Sequence, residues 1–200
     1  MKQKLFALAF ITGILVFGGC YPDGAQYYEE TDIVYTDYDD SYNFASKGTY
    51  SMPDKIVKIT GNLIEGEDPE FVKEPYNTQI LSKIESNMTA MGYTKAGDPT
   101  NADMVLFPAV WTNTTIYYYY DYWCWYNPYY CGWGWGYPSY TTQTSGTLLM
   151  TLIADGDDYV QPTNVWTSGV NGLLSGRYDV NRVNKGLDQA FTQSPYLKTN

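Results

Sequence analysis

The sequence predicts an α+β domain, with an antiparallel or mixed sheet of about five strands, two helices on one face and one long aromatic loop. Three observations carry that expectation. β-Branched and aromatic runs recur between Gly, Pro and Asp punctuation; two segments, near residues 75–92 and 180–195, repeat apolar residues at helical spacing; and the elements fall in the order β-β-α-β-β-β-α. Helices separated by several strands suit an arrangement with both helices packed on one side of the sheet.

Taken in order, Thr31 to Tyr38 is β-branched and aromatic and reads as the first strand, with Lys47 to Met52 as a shorter second one. Residues 53–73 carry Pro53, Gly61, Gly66 and Pro69, leaving room for a short strand at Ile56 to Ile59. Pro75 suits the first turn of a helix, where its missing N–H costs nothing. Ile80, Leu81, Ile84, Met88 and Met91 then follow a helical period, and Gly92 supplies the stop. Asp103 to Tyr118 is a long extended run with Met104-Val105-Leu106-Phe107 as its buried start, and Gln143 to Ala154 is a further strand. Asp155-Gly156-Asp157-Asp158 reads as a turn from which Asn164 to Val170 pairs back. Val180, Val183, Leu187, Ala190 and Phe191 mark the second helix, ended by Pro195.

The N-terminus has a different character. Lys2 and Lys4 precede 13 apolar or small residues, Leu5 to Phe17, and then Gly18-Gly19-Cys20. A basic start, an apolar stretch and small residues before a cut are the parts of a secretory signal, and residues 1–19 are expected to be removed. As a helix the apolar stretch covers about 20 Å, too short for a hydrocarbon core of about 30 Å. Gly18-Gly19-Cys20 resembles the box cut by the lipoprotein signal peptidase, with Phe17 where Leu is usual, which makes Cys20 the expected site of lipidation. Tyr21 follows it rather than the Asp that retains many lipoproteins in the inner membrane, so the resemblance implies the outer membrane. Residues 20–30 are polar and turn-rich and read as a tether, leaving 31–196 as a single domain large enough for its own core.

Composition excludes several functions. Without the signal segment, ten basic residues face 22 acidic ones, a net charge near −12. Phosphate backbones repel such a chain, so nucleic acid is not an expected partner. The sequence contains no histidine, which removes the commonest general base and metal ligand, and with it any Ser-His-Asp or Cys-His site. Asp37, Asp39, Ser41 and Asn43 alternate like the start of a calcium loop, but Tyr42 and Gly48 occupy the positions where that loop needs Gly and a bidentate Glu. An acidic strand end followed by a turn is the better reading. A carboxylate pair of the glycosidase kind stays formally available among the acids, yet no motif selects one. The sequence therefore implies a protein that is not an enzyme and uses neither cofactor nor metal.

Three cysteines are present, and lipidation of Cys20 leaves Cys124 and Cys131. An even pair in an oxidising compartment suggests a disulfide closing a small ring around Asn127-Pro128; a metal pair would lack further ligands. Those cysteines sit within residues 117–140, where fourteen of 24 residues are Tyr or Trp. A connection of this length inside a compact domain is usually functional or mobile. Aromatic side chains with polar tips suit interfaces, and Trp123, Trp125, Tyr126, Trp133, Trp135 and Tyr137 are the candidate binding residues. Three readings compete: a disulfide-clipped cap folded over the sheet, a surface stacking on a glycan or another envelope protein, and a loop dipping into lipid headgroups.

Several short motifs in sequence resemble one known family. Asp37-Tyr38-Asp39 through Phe44-Ala45-Ser46 and Thr49-Tyr50 is similar to its opening strand pair. Gly92-Tyr93 followed by Ala102-Asp103-Met104-Val105 is similar to its step into the central strand, and Gly146-Thr147-Leu148 with Val165-Trp166-Thr167-Ser168-Gly169 to its closing hairpin. The family is that of bacterial envelope lipoproteins carrying domain of unknown function 4136. The resemblance covers nearly the whole chain after the signal segment and implies a lipid-anchored envelope protein without assigned chemistry.

Overall fold

The computed structural model describes residues 33–60, 68–111, 126, 146–154, 163–172 and 178–199, all within the unit Thr31–Asn200. Seven strands form one mixed sheet, in the order β1-β7-β6-β5-β2-β4 with β3 paired to β5 beyond β2. They are β1 (Val34–Tyr38), β2 (Thr49–Ser51), β3 (Val57–Ile59), β4 (Thr94–Lys95), β5 (Met104–Trp111), β6 (Thr147–Ala154) and β7 (Thr163–Val170). Helices α1 (Tyr76–Ala90) and α2 (Val180–Thr192) complete the domain. The fold is α+β, as expected, but the order is β-β-β-α-β-β-β-β-α and the strands are seven rather than about five. The short strand the sequence left room for at Ile56 to Ile59 forms as β3, pairing through three residues; the unforeseen one is β4, two exposed residues whose position depends on β2, not on any apolar pattern of their own.

The centre of the sheet is the antiparallel trio β5, β6 and β7. Each has eight residues, and every residue of β5 and β6 is buried. Side chains alternate faces along a strand, so burial along a whole strand means that both faces are covered. Met104, Leu106, Val110, Leu148, Met150, Leu152 and Trp166 join Ile80, Ile84, Met88, Val183, Leu187 and Phe191 of the helices in the main core. Val57, Ile59, Val105, Phe107, Ala109, Trp111, Leu149 and Ile153 form a second cluster. Both helices therefore sit on one face. The sequence placed Val180 on the buried stripe of α2, but it is 37% exposed; the stripe begins at Val183.

Pro108 lies in the middle of β5, where a missing N–H would normally break a ladder. The parallel pairing on that side passes from β2, ending at Ser51 opposite Val105, to β3, starting at Val57 opposite Ala109. Pro108 stands at this break, which is where a central strand tolerates it.

Element ends are fixed by local chemistry. Asp179 caps α2 by accepting from the Asn181 and Arg182 amides at 2.8 and 3.5 Å. Helix α1 starts one residue after Pro75, which is its N-cap rather than its first helical residue. Its first turn is tied down by Asn77, which accepts from the Ile56 amide at 2.9 Å and donates to the Asp54 carbonyl at 2.9 Å. Gly92 ends this helix with a φ of 100°, and a Cβ there would meet Thr199 Oγ1 at 2.6 Å. Asp103 joins β5 to β2: its Oδ2 accepts from the Gly48 and Thr49 amides and the Thr49 hydroxyl at 3.0, 2.8 and 2.7 Å. Asp37, Asp39, Ser41 and Asn43 form the expected strand end and turn, with Asp39 Oδ1 accepting from the Ser41 amide and hydroxyl at 2.9 and 2.6 Å.

Candidate functional site

The two central strands hold the ends of the Tyr- and Trp-rich stretch. Strands β5 and β6 pair in unbroken register from Met104↔Ala154 to Trp111↔Thr147, and the Gly146 amide donates to the Trp111 carbonyl at 2.7 Å. Gly146 adopts a φ of 88°, a conformation that favours glycine, as the chain turns into β6. The 34 residues from 112 to 145 thus leave and return through a narrow neck on a rigid hairpin.

Of the expected binding residues, Tyr126 falls among the described ones. Its ring meets Phe107 edge-on, with centroids 5.9 Å apart and planes at 89°, against the second apolar cluster. Burial pushes its hydroxyl up from the ordinary tyrosine range; the nearby Ser51 hydroxyl opposes the shift, and Asp98 and Asp54 add to it. Ser51 Oγ is buried without a hydrogen-bond partner at standard geometry, so the two hydroxyls are neighbours rather than a bonded pair. Trp123, Trp125, Trp133, Trp135 and Tyr137, the lipidation site Cys20 and the pair Cys124 and Cys131 lie outside the described residues.

This second face of the sheet is divided in character. Phe107, Thr151, Thr167 and Asp37 face each other across β5, β6, β7 and β1, so the face changes from aromatic to polar within four strands. Phe71 completes the apolar half, with Lys55 Nζ over its ring at 4.9 Å.

A second feature was not singled out by the sequence. The first turn of α1 and the residue before the N-cap of α2 bring Tyr76 and Tyr178 together, with ring centroids 4.2 Å apart, and the Tyr178 hydroxyl donates to Gln79 Oε1 at 3.0 Å. With Asp179 and Val180 these residues line an open groove of about 570 Å³. Burial raises the Tyr178 hydroxyl, and the neighbouring Tyr76 and Asp179 act in the same direction. An aromatic residue just before a helix N-cap was the available signal; its partner, a hundred residues away, was not. Among the described residues no three acidic or thiol side chains converge to hold a metal ion, and no helix is long and apolar enough to cross a membrane.

Residues 34–196 match the model of the DUF4136 family, a domain of unknown function. A crystal structure of a DUF4136 family protein from Bacteroides thetaiotaomicron is 29% identical, with a TM-score of 0.63 over 84% of this chain and 97% of that one. The PelC dodecamer from Paraburkholderia phytofirmans is 10% identical, with a TM-score of 0.42 over 84% of this chain and 99% of that one. A PDZ domain protein from Parabacteroides distasonis is 14% identical, with a TM-score of 0.44 over 82% of this chain and 36% of that one. No curated protein matches the chain.

Proposed function

The chain belongs to the DUF4136 family, and from that premise we propose that it is a lipid-anchored, non-catalytic protein of the cell envelope whose domain serves as an interaction module. In this reading Cys20 carries the lipid in the outer membrane, residues 20–30 are the tether, and the Tyr- and Trp-rich stretch is the working surface. The observation that supports it is the neck: an aromatic-rich segment held at both ends by two buried eight-residue strands. Recognition loops are commonly carried on rigid scaffolds of this kind, because the scaffold bears the ordering cost. The polar tips of Tyr and Trp suit a surface that is dry on one side and wet on the other.

Binding to envelope glycans or envelope proteins, measured by glycan array and pull-down with the mature protein, is expected to disappear when Trp123, Trp125, Trp133 and Trp135 are replaced by Ala. Unchanged binding would remove the site. A second reading, a purely structural envelope component with the stretch as a packed cap, is favoured by one contact, the edge-on packing of Tyr126 against Phe107. Under that reading the four substitutions lower stability and leave binding unaltered.

A further inference from the structure

The groove between the starts of α1 and α2 joins two aromatic rings to a carboxylate and an amide, and its parts are fixed by contacts of their own. Tyr76 and Tyr178 pack against each other with centroids 4.2 Å apart and planes inclined at 42°. The Tyr178 hydroxyl donates to Gln79 Oε1 at 3.0 Å, which holds the amide and leaves Gln79 Nε2 without a partner among the described residues. Asp179 accepts the Asn181 and Arg182 amides on Oδ1 alone, at 2.8 and 3.5 Å, so Oδ2 is left for another donor. Tyr76 and Val180 are both substantially exposed and put apolar surface at the opening. Among the described residues these five line a space of about 570 Å³, within the range of small-molecule sites.

Charge narrows the occupant. Each helix start is partially positive, and each has a carboxylate of its own. Glu74 Oε2 accepts from the Thr78 amide at 3.2 Å in α1, while Asp179 caps α2. Arg182, in the first turn of α2, donates to the Gly172 carbonyl at 2.8 Å. Asp54 adjoins the first turn of α1 through its carbonyl, which accepts from Asn77 Nδ2 at 2.9 Å. Positive and negative groups thus come close to balance. A phosphate would meet Asp179, Glu74 and Asp54. A quaternary ammonium would meet two helix ends and Arg182, and rings already in contact leave no gap between them for a cation. A purely apolar ligand would strip water from Asp179 and Gln79 without replacing it. A neutral polyhydroxyl ring meets none of these penalties. Its C–H face is partially positive, as the face of a tyrosine ring prefers, and its hydroxyls donate to a carboxylate and accept from an amide.

We infer that this groove is a subsite for a neutral glycan, with one pyranose ring stacked on Tyr76 and its hydroxyls bonded to Asp179 Oδ2 and Gln79 Nε2. The site uses no residue of 112–145, so it goes beyond the role proposed for the Tyr- and Trp-rich stretch and holds or fails without it. One stacked ring with a few hydrogen bonds gives a Kd on the order of millimolar, weaker than arrays and pull-downs retain. The Trp substitutions and the groove are therefore read in different assays.

The test is saturation-transfer NMR on the purified full-length protein, with cellotriose and chitotriose as neutral probes and choline and inorganic phosphate beside them. Transfer to the ring C–H signals of at least one trisaccharide is expected, with amide shifts at Gln79 and Val180. Tyr76→Ala is expected to weaken binding about tenfold, and Tyr76→Phe to retain it. Asp179→Asn keeps a good helix cap and is expected to cost about threefold. Gln79→Ala, at an exposed helical position where alanine is favourable, is a second variant that keeps the fold and is also expected to weaken binding. No transfer at concentrations on the order of 10 mM would overturn the inference. Transfer that survives both Tyr76→Ala and Gln79→Ala would overturn the site. A response to choline or phosphate with none to the sugars would overturn the ligand class. Trisaccharide binding lost in the four-Trp variant but kept in the groove variants would overturn this site and leave the proposed function standing.

Discussion

Single side chains with unusual demands decide much of this domain. Asp103 receives three hydrogen bonds on one oxygen from the start of β2. Burial acts to raise its carboxyl, but the Thr49 hydroxyl, the Gly48 and Thr49 amides and Lys47 outweigh that and hold it below its usual value. A carboxyl lowered in the folded state binds fewer protons there than in the unfolded chain. Its contribution is therefore present above about pH 4 and lost as the pH falls through the folded value. Asp103→Ala is expected to cost about 1–2 kcal/mol in urea unfolding at pH 7, with a smaller deficit in acid. Gly92 is constrained differently, by a φ of 100° and by Thr199 beside the place of its absent Cβ. Gly92→Ala should cost at least about 1–2 kcal/mol, read as a lowered urea midpoint with an unchanged slope.

Among the elements, α2 shows how a helix is held by its buried stripe. Asp179 starts it, Val183, Leu187, Ala190 and Phe191 bury one side, and Trp166 Nε1 donates to Ser194 Oγ at 3.0 Å just past its end. Leu187→Ala, at a fully buried position, should destabilise the domain by about 2–5 kcal/mol, measured by thermal or urea unfolding. Both helices were legible in the sequence from their helical apolar spacing, and the three long strands from apolar and β-branched runs bounded by turn residues. Strand β4 was not: Thr94 and Lys95 are exposed and become a strand only because β2 lies beside them. The two-sided burial of β5 was only half legible. Met104-Val105-Leu106-Phe107 announced a buried start, but which residues meet the helices and which meet Tyr126 depends on tertiary packing. The same limit applies to the groove, since Tyr76 and Tyr178 are far apart along the chain.

For the molecule as a whole, the proposed export and anchoring make two predictions that do not depend on the partner. Cys20→Ala should leave the protein unprocessed or released, seen as loss from the membrane fraction and of lipid labelling; an unchanged fraction with unchanged labelling would refute the anchor. Mass spectrometry of the mature protein should find Cys124 and Cys131 joined, and two freely alkylated thiols would count against the bridge. Acidity bears on the same scale. In the proposed processed form, ten basic residues face 22 acidic ones, a charge that opposes binding to polyanions.

The single hydrogen bond between Gly146 and Trp111 has an engineering consequence. The β5–β6 ladder is complete up to that bond, so the register is carried through all eight pairs of the two strands. Closure entropy grows only with the logarithm of length, so exchanging those 34 residues for a two-residue turn changes it by about 2.5 kcal/mol. An experimenter can transplant a sibling's insert onto the same hairpin to ask whether its affinity travels with it, keeping the packing of Tyr126 on Phe107.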